Sequence, residues 1–143
     1  MEVISLWQPY ASLMAMNLKK NETRHWLTYY RGPLLIHAAK RKPTIKELVY
    51  IRNILERFTI EYDFLDQLPL GAILCEVNLV DCQRIHADNC PSKDELEYWL
   101  GGYNHGRFMW HTEDVKPFAQ PIPYKGSQGF WKVPDEVINK FKG

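Results

Sequence analysis

Two continuous apolar runs constrain the fold of this chain more than any other feature. Leu34–Ala38 and Gly71–Val80 each have the length of a strand and carry few polar side chains, which is typical of strands inside a sheet. Shorter strand patterns, with β-branched or alternating residues, are predicted at Glu2–Leu6, Asn21–Trp26, Arg107–His111 and Val115–Pro123. A sheet therefore dominates the predicted fold, and helices must cover it.

Helix-start signals separate the first strands. Pro9 suits the first turn of a helix because proline lacks a backbone N–H, and Asn17 tolerates the left-handed conformation that ends a helix. Thr44 and Glu47 have the spacing of a capping box. The second helix then carries an apolar stripe that we expect to face the core, made of Ile45, Leu48, Ile51, Leu55 and Phe58.

Two shorter helices are predicted in the second half of the chain. Ser92 and Glu95 have capping-box spacing and begin a helix that ends near Gly101, and Pro134 opens a final helix. The order is strand, helix, two strands, helix and then mostly strands, which favours a small mixed barrel closed by helices. No repeat or internal boundary is visible, so residues 1–143 are expected to form one domain.

Charge is unevenly distributed although the net charge is only +1. Residues 1–60 hold ten Lys/Arg against four Asp/Glu, and residues 61–143 hold eight against thirteen. This asymmetry predicts a positive face built from the first half of the chain, which would attract phosphates. Chance is the other interpretation, because the two halves of a fold interleave in space.

The cysteines and the chain start indicate a reducing compartment. Cys75, Cys82 and Cys90 are odd in number and have no paired spacing, so a secreted disulfide framework is not expected. Cys82, His86 and Cys90 lack a second ligand pair, and we predict no metal site and no cofactor. No leader pattern or membrane span is present, and a cytoplasmic location is the default expectation.

The segment from Asn17 to Trp26 is the most informative for chemistry. It places Lys19, Glu22 and Arg24 where a helix runs into a strand, with Glu22 and Arg24 on one face of that strand. A lysine beside a glutamate can position a polar ligand or act as an acid or base, and an arginine suits phosphates or base edges. The alternative is an ion-paired cluster that only holds the turn in place.

Further residues are candidates for the same site. Two tryptophans could stack on a base, and basic side chains near one end of the sheet could contact phosphates. We interpret His37 as a hydrogen-bonded core histidine, because it lies within an apolar strand. The additional ligand-binding candidates are Trp7, Gln8, Tyr10, Trp26, Arg31 and Lys40.

Several motifs occur in the order found in the ASCH domain family, a member of the PUA-like superfamily, and the chain resembles that family over nearly its whole length. One difference is Asn17, where the family motif usually has glycine. The motifs are Ser5–Ala11, Lys19-x-x-Glu22-x-Arg24, Tyr30–Pro33 with His37-Ala38, Gly71–Asp81, and Gly106–Trp110 with Gly126, Gly129 and Trp131.

The resemblance implies an α+β fold, a PUA-like mixed β-barrel of about five to six strands closed by short α-helices. It also implies a binding cleft between the barrel and the helices. A bacterial acetylcytidine amidohydrolase looks similar and has Lys and Thr in the motif, at the positions of Lys19 and Glu22. No hydroxyl stands at the second position here, and the Glu-x-Arg pattern is closer to the coactivator-type branch. Other relatives are ribonucleases.

The leading hypothesis is a nucleic-acid-binding domain, with RNA favoured over DNA. A first alternative is a hydrolase, either a ribonuclease or a nucleoside amidohydrolase, with Lys19 and Glu22 as catalytic residues. A second is a recognition module for a modified nucleoside or other small ligand in an aromatic pocket of Trp7, Trp26 and Trp110. We expect no membrane partner, and the sequence leaves the oligomeric state open.

Overall fold

The computed structural model describes residues 1–142, and the side chains of residues 1–141. Its strands are β1 Glu2–Leu6, β2 Asn21–Arg24, β3 Gly32–Ala38, β4 Ala72–Arg84, β5 Phe108–Pro123 and β6 Phe130–Lys132. Its helices are α1 Tyr10–Ala15, α2 Ile45–Arg57, α3 Leu96–Trp99 and α4 Asp135–Lys142, with a 3-10 turn at Asp63–Asp66.

Within the described residues, the strands form one six-stranded mixed sheet in the order β2-β5-β4-β3-β1-β6. β1 and β3 run parallel, with Ser5 opposite His37, and the other neighbouring strands are antiparallel. Register shifts between β4 and β5 indicate bulges, which bend strands and let the sheet curl into a half-barrel. The predicted α+β fold, a mixed barrel-like sheet closed by short helices, is confirmed.

Both faces of the sheet are buried, which explains the two continuous apolar runs. Leu34 and Ile36 of β3 pack in one cluster with Met14 of α1, whereas Leu35 packs in another with Ile138 of α4. Neighbouring residues of a strand point to opposite faces, so consecutive buried positions such as Leu34, Leu35 and Ile36 are all apolar. The sheet thus has α1 on one face and α4 on the other.

Three local predictions were wrong. Ser92 and Glu95 do not form a capping box, because α3 begins only at Leu96 and its start has no side-chain cap. The two strands predicted at Arg107–His111 and Val115–Pro123 are one strand, β5. Ile45 is 82% exposed and does not join the core face of α2.

The capping box of α2 is confirmed. The Thr44 hydroxyl accepts a hydrogen bond from the Glu47 N–H at 3.1 Å, and the Glu47 carboxylate accepts one from the Thr44 N–H at 2.8 Å. Arg41 also binds that carboxylate, at 3.0 Å. The hydrogen bond from the Thr44 N–H lowers the pKa of Glu47 most, and the hydrogen bond from the Arg41 guanidinium lowers it further. The start of α2 thereby fixes the position of Arg41.

Candidate functional site

A left-handed turn carries the chain from α1 into β2 and determines where Lys19 lies. Asn17 has φ 61°, as predicted for the end of α1, and asparagine tolerates this conformation better than most residues. The N–H groups of Leu18 and Lys19 both bond to the carbonyl of Leu13. The turn is therefore held against the helix, and the Lys19 side chain is directed inward, where it is 2% exposed.

Lys19, Glu22 and Arg24 converge. The Glu22 carboxylate lies 3.5 Å from the Lys19 ammonium through one oxygen and 3.0 Å from the Arg24 Nε through the other. Lys19 also donates to the carbonyl of Asn21, and Arg24 Nη2 donates to the carbonyl of Ser5 at 2.9 Å. Each long side chain is thus held in one orientation, which favours a preformed site.

These three side chains line a cavity of about 670 Å³, which we call the first chamber. Its polar floor consists of Lys19, Glu22, Arg24 and Arg107. Aromatic side chains, some of them largely exposed, stand around this floor. They are Trp7, Tyr10, Tyr50 and Trp99. Aromatic walls with a few convergent polar groups are typical of ligand sites.

Two arginines cover faces of the indoles in this wall. The Arg41 guanidinium lies 4.0 Å from the centre of the Trp7 ring, and the Arg57 guanidinium lies 4.4 Å from the centre of the Trp99 ring. Such stacking orients an aromatic ring and adds positive charge beside it. Trp7 remains 56% exposed, so its ring still has surface that a base could contact.

Arg107 was not predicted as a site residue, although it belongs to one of the family motifs. It directly precedes β5, which pairs with β2 so that Phe108 faces Arg24. Arg107 Nη2 donates to the carbonyl of Thr23 at 3.0 Å, and its Nε is buried without a hydrogen-bond partner among the described residues. The pairing of β2 with β5 brings Arg107 into the cleft, and no local sequence pattern specifies that pairing.

A second chamber of about 710 Å³ adjoins the first. Both are lined by Ser5, Trp7, Arg24 and His25, so they share part of their wall, and we call the two adjoining chambers the cleft. The second chamber is also lined by Trp26, His37, Ala39, Lys40 and the turn Lys125–Gly129. The side chains of Lys40 and Lys125 are exposed. Their ammonium groups are therefore accessible to a ligand.

His37 fastens the turn of the second chamber to the sheet. Its Nε2 is 2.8 Å from the carbonyl of Tyr124, which can only accept, so Nε2 carries the proton. Its Nδ1 then accepts from the Ser5 hydroxyl at 3.0 Å. Burial lowers the pKa of His37, which favours this neutral form. The interpretation of His37 as a hydrogen-bonded core residue is confirmed.

Some predicted ligand residues lie elsewhere. Gln8 is 1% exposed and binds the Ser12 hydroxyl and the carbonyl of Pro69, both at 2.8 Å, so it connects α1 to a neighbouring loop. Arg31 lines neither chamber, and its guanidinium donates to the carbonyls of Thr28 and Tyr30.

The aromatic pocket proposed as an alternative site is not formed as predicted. Trp110 is fully buried and packs against the edge of Trp26 with ring centres 4.7 Å apart, so it cannot contact a ligand. Trp26 lines the second chamber, whereas Trp7 lines both. Tryptophan side chains therefore do line the cleft, but the tryptophan that lines the first chamber together with Trp7 is Trp99.

Two other kinds of feature are absent from the described part of the chain. Nowhere in residues 1–142 do three or more His, Cys, Asp or Glu side chains come together as a metal-binding group. In the same part of the chain, no helix has the length and apolar character needed to cross a bilayer.

The fold and cleft define a class of protein: small mixed-sheet domains with a cationic, aromatic-walled cleft where α1 meets β2. The sequence comparison agrees, since the family model described as "ASCH domain" matches residues 4–122. This chain belongs to the ASCH domain family.

Individual relatives agree with this assignment. The human and mouse proteins named "Activating signal cointegrator 1" are each 27% identical over 139 residues, which cover 94% of this chain. The chain spans only 22% of the length of those relatives. Among solved structures, ASCH from Zymomonas mobilis matches with a TM-score of 0.62 and 16% identity, covering 97% of this chain and 91% of that one. This match supports the fold.

Proposed function

We propose that this ASCH domain binds nucleic acid, preferably RNA, in the two-chambered cleft. One observation carries the proposal. Among the described residues that line the two chambers, one is a carboxylate, Glu22, and five are basic: Lys19, Arg24, Lys40, Arg107 and Lys125. The cleft thus has a formal charge of +4 in a chain whose net charge is +1. Concentrated positive charge of this kind attracts phosphates.

The aromatic residues support the same ligand. Trp7 and Trp99 stand beside the basic floor, and stacking on a base contributes about 1–3 kcal/mol for each base. Basic grooves with interleaved aromatic rings are typical of proteins that bind single strands. The relatives carry the name of a signal cointegrator, and resemblance to coactivator-type ASCH domains implies that this domain is a nucleic-acid-binding part. RNA is favoured because related PUA-like barrels bind it.

The geometry favours binding over the hydrolase alternatives. A ribonuclease would need Glu22 as a general base, yet both oxygens of this carboxylate are engaged, one with Lys19 and one with Arg24. Incubation of labelled RNA and of acetylcytidine with the protein and with Lys19→Ala tests catalysis, and turnover that disappears in the variant would support it.

Fluorescence anisotropy with labelled single-stranded RNA tests the proposal. Affinity should fall as salt rises, with a slope of log K against log salt of about −0.7 for each phosphate that the protein neutralises. Arg107→Gln should weaken binding, whereas Lys46→Gln should not, because Lys46 is exposed on α2 and lines neither chamber. A matched DNA strand tests the preference for RNA. Absence of binding to either strand at low salt would refute the proposed function.

A further inference from the structure

We infer that the cleft binds a single nucleic-acid strand at two subsites. A base occupies the first chamber, and the phosphate of the adjoining nucleotide occupies the second. The inference rests on the proposed function and specifies its ligand. It requires the two chambers to differ chemically, to adjoin, and to be held in place before the ligand arrives. The structure shows each of these features.

The chambers differ in charge. The first has a formal charge of +2, because Glu22 offsets one of the three cations Lys19, Arg24 and Arg107. Each Glu22 oxygen has a second acceptor site besides its contact with Lys19 or Arg24, so the carboxylate would repel a phosphate but can still accept a hydrogen bond from the N–H groups of a base. The second is lined by Lys40 and Lys125 as well as Arg24, and no carboxylate occurs among the described residues that line it. A phosphate is therefore more stable in the second chamber, and a base with N–H donors suits the first.

The chambers adjoin at Trp7 and Arg24, which line both. Trp7 is held from one side by Arg41 and is still 56% exposed. Arg24 is fixed at two points, since its Nε pairs with Glu22 and its Nη2 donates to the carbonyl of Ser5. A strand that passes from one chamber to the other must cross these two side chains, where it meets a ring and a fixed positive charge.

The turn that carries Lys125 is held in place by contacts on both sides of that residue. On one side, Tyr124 accepts a hydrogen bond from His37 through its carbonyl. Gly126 packs so closely that a Cβ atom there would lie 2.4 Å from Cε1 of His37. The backbone on which Lys125 stands is therefore preformed, which lowers the entropic cost of binding.

The division of the cleft into a base subsite and a phosphate subsite favours a single-stranded ligand. Inside a duplex the base edge is paired and stacked, so a base can enter the first chamber only if it is unpaired or flipped out at a cost in free energy. The phosphate that follows an unpaired base can then reach the lysines of the second chamber. The expected ligand is therefore at least two nucleotides of an unpaired strand, and a fully paired duplex should bind more weakly.

A double variant, Lys40→Gln with Lys125→Gln, tests the second subsite. Its matched control is Lys42→Gln with Lys46→Gln, which removes two exposed lysines that line neither chamber. Affinity for a single-stranded RNA octamer is measured by anisotropy over a series of salt concentrations. We expect the test variant to bind about tenfold more weakly at low salt, with a salt slope smaller by about 0.7 for each phosphate that the protein no longer neutralises.

Competition with small ligands completes the test. The unmodified protein should prefer a dinucleoside monophosphate to the corresponding nucleoside, and the test variant should not show that preference. If octamer binding weakens in Arg107→Gln but is the same in the test and control variants, the second subsite is refuted while the proposed function stands. Equal affinity for the octamer and its duplex would refute the single-strand assignment, and no binding at all would refute both proposals.

Discussion

Replacing Glu22 by glutamine should destabilise the fold more than replacing its partner Lys19 by methionine. Lys19 is 2% exposed, so Glu22→Gln leaves a buried ammonium without its counter-charge. In Lys19→Met, the Glu22 carboxylate keeps its contact with Arg24 at 3.0 Å, and methionine fills the buried space. Removing one partner of a buried ion pair usually costs about 3–5 kcal/mol.

We expect about 2 kcal/mol for Glu22→Gln, because the amide oxygen still accepts a hydrogen bond and the cleft admits water. For a chain of this length, this destabilisation lowers Tm by about 7 °C. Urea denaturation followed by tryptophan fluorescence gives the free energy of unfolding of both variants. The reasoning would be refuted if Lys19→Met were the less stable variant, or if Glu22→Gln unfolded at the same urea concentration as the unmodified protein.

Three further changes test other parts of the structure. Gly126→Ala should lower stability by about 1–3 kcal/mol, because its Cβ would clash with His37, whereas Ser127→Ala in the same turn should not. Thr44→Ala should lower stability by about 1 kcal/mol because it removes the capping box, and thermal unfolding would measure either change. Burial lowers the pKa of folded His37, so its contribution to stability is present above about pH 6.5 and is lost as pH falls through the folded pKa. The free energy of unfolding, measured in urea at several pH values, should fall less with acid in His37→Gln than in the unmodified protein. The same pH dependence in both proteins would contradict this role of His37.

Local chemistry made much of the fold predictable. The turn at Asn17 and the capping box of Thr44 and Glu47 depend on residues close in sequence, and both were confirmed. The same kind of pattern was wrong at Ser92, whose hydroxyl accepts from the N–H of Asp94 and whose carbonyl accepts from the N–H of Glu95. Capping residues stabilise isolated turns as well as helices, so the spacing alone did not locate the start of α3.

Only the part of the candidate site made by residues close together in the sequence was predictable. Lys19, Glu22 and Arg24 are separated by a few residues across one turn, and the structure brings them into contact. Lys40 and Lys125 come together with them through the parallel pairing of β1 with β3 and the return of the chain into β6. Neither pairing leaves a signal in a single sequence, because strand partners are chosen by the whole sheet.

The uneven distribution of charge explains why the net charge of the chain did not indicate how basic the cleft is. The whole chain has a net charge of +1, while the side chains that line the cleft contribute +4, so the remainder has a formal charge of −3. A uniformly basic surface would hold a polyanion anywhere, whereas an acidic remainder repels it except at the cleft. Concentrating the positive charge in this way favours binding at one place and in one orientation. For a domain proposed to distinguish a base from a phosphate, this arrangement matters more than a high net charge.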